Sequence, residues 1–260
     1  MLKVRVIPTL LWKEFGLVKG IGFDSQRRVG PVLQTIKVYN QREVDEIIIL
    51  DIQASKRKID PDYSSIVEFT RGTLIPTTIG GGITNIDQVR CLLRSGADKV
   101  SLNSALYDEP GMIDEIAKTY GSQCLVVSID VRKFTKNHWK IYSHNGEREI
   151  SKDLFEWIKE VEDRGAGEVL LTSIDRDGTM TGYDQELLKK VSNLLKIPLI
   201  ASGGASNYQD MIDAVKNGGA SAVAAASIFH FTELTPKEAK MAMAEAGIAT
   251  RTPFVDPLHV

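Results

Sequence analysis

Short apolar runs rich in β-branched residues alternate with amphipathic stretches along the whole chain, and this alternation predicts repeated strand–helix units. The pattern places strands at residues 4–10, 46–52, 75–79, 99–102, 125–130, 168–173, 198–201 and 222–225. Between them lie apolar stripes at helical spacing, such as Met112, Ile113, Ile116, Ala117 and Tyr120, or Leu187, Leu188, Val191, Leu194 and Leu195. Parallel strands need crossover helices, so these units predict an α/β fold. Eight of them in about 250 residues fit a closed (β/α)8 TIM barrel better than an open doubly wound sheet. One barrel domain is expected over residues 1–260, with no linker and no second domain. A single insertion, Trp139-Lys140-Ile141-Tyr142 then His144-Asn145-Gly146 then polar residues into Ile150, predicts a hairpin after the fifth strand.

The two halves of the chain repeat one another. Ile79-Gly80-Gly81-Gly82-Ile83, followed by Gly96-Ala97-Asp98-Lys99-Val100-Ser101, returns as Ala201-Ser202-Gly203-Gly204-Ala205, followed by Gly219-Ala220-Ser221-Ala222-Val223-Ala224. The offset is roughly 123 positions, which predicts two fused half-barrels. Each copy sets glycines after a strand and before an amphipathic stretch, where backbone N–H groups and a helix N-terminus can hold an anion. Two such cradles suggest a ligand with two phosphates. The competing reading is that these glycines only make tight strand-to-helix turns.

A barrel's chemistry sits at the C-terminal ends of its strands, where the loops converge on one mouth. The polar residues there are Asp51, Asn103, Ser104, Asp130, Asp177 and Ser227, beside Gly81, Gly82, Gly178, Gly203 and Gly204. Three carboxylates at one mouth can do acid–base work or orient hydroxyls, or they can merely cap the next helix. Composition narrows the classes without choosing one. A net charge of −2 gives no basic footprint for nucleic acid, and no apolar run is long enough to span a bilayer. The start, Met1-Leu2-Lys3-Val4-Arg5, lacks a signal peptide, so a soluble cytoplasmic protein is expected. Cys91 and Cys124 read as small core residues, and His138, His144, His230 and His259 lack metal-ligand spacing. No metal and no cofactor are expected.

The run Glu168-Val169-Leu170-Leu171-Thr172-Ser173-Ile174-Asp175-Arg176-Asp177-Gly178-Thr179, ending in Gly182-Tyr183-Asp184, resembles the cyclase subunit of imidazole glycerol phosphate synthase. So do Gly96 to Asn103, Ile129-Asp130 and Ser227-Ile228-Phe229-His230-Phe231. The likeness spans nearly the whole chain. It implies a duplicated TIM barrel with two phosphate sites, one from Gly81, Gly82, Asn103 and Ser104, the other from Gly178, Gly203, Gly204, Ala226 and Ser227. Lys19, Asp51, Thr172, Asp177 and Ser202 would line the substrate mouth. It also implies a glutaminase subunit docked at the opposite face, with ammonia passing through the barrel. Arg5, Glu46, Lys99 and Glu168 match the family's charged ring at that face, and Asp98 matches the residue facing the glutaminase. A structural salt-bridge cluster is the alternative for the ring.

Family members use two opposed aspartates as acid and base, and here the sequence departs. Asp130 remains, whereas Leu11 occupies the position of the other. Leucine cannot move a proton, so ring closure is expected to be crippled. Retained conduit and lost acid–base pair resemble paralogous cyclase-like proteins of surface-polysaccharide pathways, which share Arg5-Val6-Ile7-Pro8-Thr9-Leu10-Leu11 and Gly16-Leu17-Val18-Lys19. On that resemblance the protein would relay ammonia to a separate sugar amidotransferase that forms an acetamidino sugar. The alternatives are the histidine-pathway cyclase itself, acting on a bisphosphorylated substrate plus ammonia, and a non-catalytic scaffold that activates the glutaminase.

Overall fold

In the computed structural model, eight parallel strands close on themselves, and helices cover the outside of the ring. The structure describes residues 3–14, 16–42 and 44–251. Met1 and Leu2, read above as part of an N-terminus without a signal peptide, and His259 lie outside the described residues. In chain order the strands are β1 (Arg5–Lys13), β2 (Gly16–Ile21), β3 (Asp24–Gly30), β4 (Ile47–Asp51), β5 (Thr77–Gly80) and β6 (Lys99–Leu102). They continue as β7 (Leu125–Thr135), β8 (His138–Ser143), β9 (Arg148–Ile150), β10 (Glu168–Ser173), β11 (Leu199–Ser202) and β12 (Ala222–Ala225). The barrel runs β1-β4-β5-β6-β7-β10-β11-β12, and β12 pairs in parallel with β1 to close it. This is a (β/α)8 TIM barrel.

Alternation along each strand divides the apolar residues between two cores. Ile7, Ile48, Val126, Leu170, Ile200, Ala222 and Ala224 point inward and fill the barrel. Their neighbours Val6, Ile47, Ile49, Val127 and Val169 point outward and pack beneath the helices. A strand buried on both faces needs an unbroken apolar run, which is why Ile47-Ile48-Ile49 reads as it does.

The repeat in the sequence is also a repeat in geometry. Gly81 and Gly82 have φ of +108° and +72°, and Gly203 and Gly204 have φ of +90° and +108°. Side chains other than glycine rarely adopt such values, so both turns depend on glycine. Asn85 caps the helix Ile86–Arg94 by accepting from the Gln88 amide, and Asn207 caps Tyr208–Lys216 by accepting from the Asp210 amide. One position before each cap, the backbone amides of Thr84 and Ser206 donate to the side chains of Gln88 and Asp210. Two copies of one strand–turn–helix device thus face each other across the ring.

Several expectations need correction. The segment after β1, where no strand was expected, forms the antiparallel pair β2–β3, whose glycines and charged residues mask any alternation. Cys91 is exposed and Cys124 half-buried, so neither is a core residue; in Ile86–Arg94 the buried face is carried by Gln88, Val89 and Leu92. The helix Gln185–Ser192 ends before Leu194 and Leu195, which are only half-buried beyond it. The fifth barrel strand runs on to Thr135 and pairs with β8 as the inserted hairpin.

Candidate active site

Because side chains alternate along a strand, counting in twos from the bottom of the barrel predicts what reaches its mouth. Arg5 leads through Ile7 and Thr9 to Leu11, Glu46 through Ile48 to Leu50, Lys99 through Ser101 to Asn103, and Glu168 through Leu170 to Thr172. The first residue of each series lies in a charged ring, and the last lines a cavity of about 150 Å³ at the opposite end.

The ring is fully closed. Arg5 reaches Glu46 at 2.6 Å and Glu168 at 3.0 Å, while Lys99 reaches the same two carboxylates at 3.0 Å and 2.9 Å. Each cation therefore bridges both anions. Glu46 is also held by the Thr78 hydroxyl at 2.7 Å, and the Arg5 guanidinium is pushed further up by both carboxylates despite its burial. Asp98 lies beside the ring, where its carboxylate accepts from the Thr77 amide at 2.8 Å. Above the ring, the Thr9 and Ser101 hydroxyls are buried without a hydrogen-bond partner, so the barrel's interior carries polar atoms open to a guest.

At the mouth the three strand-end carboxylates part ways. Asp51 accepts from the amides of Gln53 and Ala54 at 2.8 Å and 3.0 Å, so it caps the short helix Ala54–Arg57 as well as lining the cavity. Asp130, midway along β7 where the strand pairs with both β10 and β8, is 8% exposed and accepts from the Asn103 side-chain amide at 2.7 Å. Burial raises its pKa to about 7, with the nearby charge of Asp177 adding to the rise and Thr172 and Asn103 opposing it. Asp177 keeps some solvent contact, yet protein walls it closely enough to raise its pKa to about 6. The positive charge of Lys19 on β2 acts in the other direction.

Leu11 ends its series opposite Asp130, four strands away around the ring in either direction, and lines the same cavity. Glu14 is no substitute. It is exposed and ion-paired with Arg57 outside the cavity lining.

The glycine turns lie where the repeat places them. Gly81, Gly82, Asn103 and Ser104 line one side of the cavity, and Gly178, Gly203, Gly204, Ala226 and Ser227 line the other, with Ser202 and Thr172 between strand ends. Any Cβ on Gly81 would stand 2.2 Å from the Asp51 carbonyl oxygen, and one on Gly178 would stand 2.1 Å from that of Gly20. Lys19, on the β2–β3 pair, is not among the residues lining the cavity and acts on the site through its charge on Asp177, and the pair is pinned over the mouth by the Gly22 amide donating to the Asp177 carbonyl at 2.9 Å.

Some lining residues went unnoticed in the sequence. Phe23, Asn145 and Met180 all face the cavity with positive φ; Phe23 and Met180 sit at turns no pattern announces, and the turn of Asn145 was expected as part of the hairpin but not as part of the site. Thr9 and Ser101 were legible by counting in twos from the ring, and Ser128 by counting back two from Asp130. In contrast, Tyr183 and Asp184 of the Gly182-Tyr183-Asp184 motif are structural: Tyr183 donates to the Ala224 carbonyl at 3.0 Å, and Asp184 caps Gln185–Ser192 while accepting from the Trp139 indole.

Among the described residues no three His, Cys, Asp or Glu side chains cluster as a metal site would require. No helix among them is long and apolar enough to cross a membrane.

Comparison with known proteins gives the site its context. The model of a family described as "Histidine biosynthesis protein" matches residues 5–235. The chain is 46% identical over 251 residues to the imidazole glycerol phosphate synthase subunit HisF of Dictyoglomus thermophilum, covering 96% of this chain and 99% of that relative. This overturns the expected role in sugar amidation. That expectation rested on Leu11 and a few residues around β1, whereas the match to a synthase subunit extends over almost every element of the barrel.

Proposed function

Since this chain belongs to the histidine biosynthesis protein family, we propose that it is the cyclase subunit of an imidazole glycerol phosphate synthase, joining ammonia to a bisphosphorylated substrate. The observation that carries this reading is a single mouth bearing two matched glycine cradles, one on each side of the buried Asp130. Cradles of backbone amides suit phosphates without needing a lysine cluster. A substrate phosphorylated at both ends would be stretched between them, with its reacting carbons over Asp130, and such positioning supplies much of a catalytic rate.

The nitrogen would come from a glutaminase subunit of the HisH type, bound as a heterodimer at the face of Arg5, Glu46, Lys99 and Glu168, with Asp98 at the contact. The four alternating charges neutralise one another and close the bottom of the barrel, so ammonia enters only when the ring parts. Once inside, ammonia meets the unpartnered hydroxyls of Thr9 and Ser101 on its way to the mouth. The whole chain, residues 1–260, serves in this reading as one domain with an entrance and an exit.

Leu11 marks a departure within the family. The run Arg5 to Leu11 supports a paralogous branch in which β1 no longer carries an acid or base. A lost proton-transfer group costs about 10²–10⁴ in rate, so turnover should be slow but measurable. The test supplies ammonium salt and the bisphosphorylated substrate of imidazole glycerol phosphate synthase to the purified chain, without a glutaminase. Formation of imidazole glycerol phosphate that requires Asp130 supports the reading. No product at any ammonium concentration, from wild type or from Leu11→Asp, would sink it.

A further inference from the structure

Leu11 is unable to move a proton and Asp51 is held by the backbone amides of Gln53 and Ala54, but two further carboxyl groups line the same cavity, Asp130 and Asp177, and they sit side by side. We infer that Asp177 has taken the second proton-transfer role, so that acid and base act from neighbouring strands instead of from opposite sides of the barrel. The inference rests on the cyclase reading above and adds to it the identity and placement of the second group.

Strands β7 and β10 pair in parallel from Glu168↔Val126 to Ser173↔Val131, which sets Thr172 beside Asp130. Past Ser173 the chain turns back, the Asp177 amide donating to the Ser173 carbonyl at 3.0 Å, and this returns Asp177 to the rim next to Asp130. The charge of Asp177 raises the pKa of Asp130. On the β1–β4 side, Leu11 and Leu50 carry no titratable group, and the neighbouring Asp51 is held by the amides of Gln53 and Ala54. The groups facing the pair are Lys19 toward Asp177, and Tyr107, Thr172 and Asn103 toward Asp130. Burial raises both carboxyls, Asp130 to about 7 and Asp177 to about 6, and the solvent contact of Asp177 and the facing charge of Lys19 favour its ionised form, so Asp177 serves as the base and the more deeply buried Asp130 as the acid.

Such a pair suffices to condense ammonia with a carbonyl carbon. The ammonia lone pair forms the C–N bond as the carbonyl π pair moves to oxygen. Asp177 takes a proton from the new ammonium nitrogen and Asp130 gives one to the oxygen. Asp177 then returns its proton to the hydroxyl, which leaves as water while the nitrogen lone pair forms C=N. The iminium proton goes to Asp130, leaving an imine, one water and both carboxyls in their starting states. Proton transfer on this route stays on one face of the substrate, away from Leu11.

The experiment compares wild type, Asp177→Asn, Leu11→Asp and the double variant, with ammonium salt and the bisphosphorylated substrate. Asp177→Asn should lower kcat about 10²–10⁴-fold with little change in KM and abolish the acid-side limb of the pH–kcat profile. Leu11→Asp should restore kcat in the Asp177→Asn background by supplying a base from the opposite side. The inference is overturned if Asp177→Asn keeps both limbs and most of kcat, or raises KM alone, in which case the cyclase reading survives. It is also overturned if wild type is silent and Leu11→Asp is active, which again spares the cyclase reading. Silence from every variant ends both. In all variants, 13C NMR of the Asp130 carboxyl checks that the site is folded; loss of the Asp177 charge should move its titration to lower pH.

Discussion

The Asn103 side-chain amide, at the end of β6, donates to the Asp130 carboxylate at 2.7 Å, while its own carbonyl oxygen is buried without a donor. One residue thus favours the ionised form of Asp130 against the larger effect of burial and leaves an acceptor open at the mouth. A hydrogen bond to the charged form favours it, so Asn103→Ala should push the Asp130 carboxyl above about 7. Carboxyl titration by 13C NMR would show the midpoint moving to higher pH. A midpoint that falls would mean that burial, not the Asn103 bond, was altered.

Burial of Asp130 also ties stability to pH. Its folded pKa of about 7 lies above the unfolded value of about 3.9, so the fold prefers the protonated group. The stabilising contribution is present in full below about pH 4 and is lost as pH rises through about 7. Asp130→Asn cannot ionise. Relative to wild type it should therefore gain stability between pH 5 and pH 8, on the order of 1–3 kcal/mol, while losing turnover. Denaturant unfolding of both proteins at the two pH values measures this directly, and parallel pH dependences would refute it.

How much of this was legible in the sequence depends on which residues carried a period. Both faces of a barrel strand are buried, so runs such as Ile47-Ile48-Ile49 announced all eight strands, and the glycine repeat announced both turns. The β2–β3 pair had no such signal, because Gly16, Gly20, Gly22, Arg27 and Arg28 leave its faces without alternation and its pairing includes register shifts. Asp51 and Asp130 look alike as strand-end aspartates. Only their partners separate them, backbone amides of the next helix for Asp51 and a side chain from another strand for Asp130. Cys91 misled because apolar neighbours suggested burial, when its place in Ile86–Arg94 turns it to solvent.

Gly178 is where the β2–β3 pair meets the second cradle. Its φ is +71°, and a Cβ there would stand 2.1 Å from the Gly20 carbonyl oxygen, which is backbone and cannot swing aside. Gly178→Ala should lift the hairpin, weaken phosphate binding by tenfold or more, and cost about 1–3 kcal/mol in strain. Gly72→Ala is the control, since Gly72 has no neighbour within 4 Å of an added Cβ. Calorimetric titration with inorganic phosphate, together with thermal unfolding, distinguishes the two. Equal phosphate affinity in Gly178→Ala and wild type would remove Gly178 from the cradle.

The charged ring decides whether the barrel is a conduit or a closed scaffold. Glu46 is almost wholly buried, its side chain 3% exposed, and its charge is balanced by Arg5, Lys99 and the Thr78 hydroxyl. Lys99→Ala leaves Glu46 and Glu168 sharing Arg5 alone. A buried pair broken on one side costs about 3–5 kcal/mol, and the partial exposure of Lys99 at 17% should bring the loss below that range. If the ring is the gate, the variant still binds the glutaminase but no longer confines ammonia. Glutamine hydrolysis should then exceed imidazole glycerol phosphate formation, with the excess recovered as free ammonium, whereas activity on added ammonium salt should persist because the mouth is untouched. Measuring glutamate, ammonium and product in one reaction gives the ratio. If the three remain matched while only stability falls, the ring is a structural cluster, and ammonia reaches Asp130 by another path.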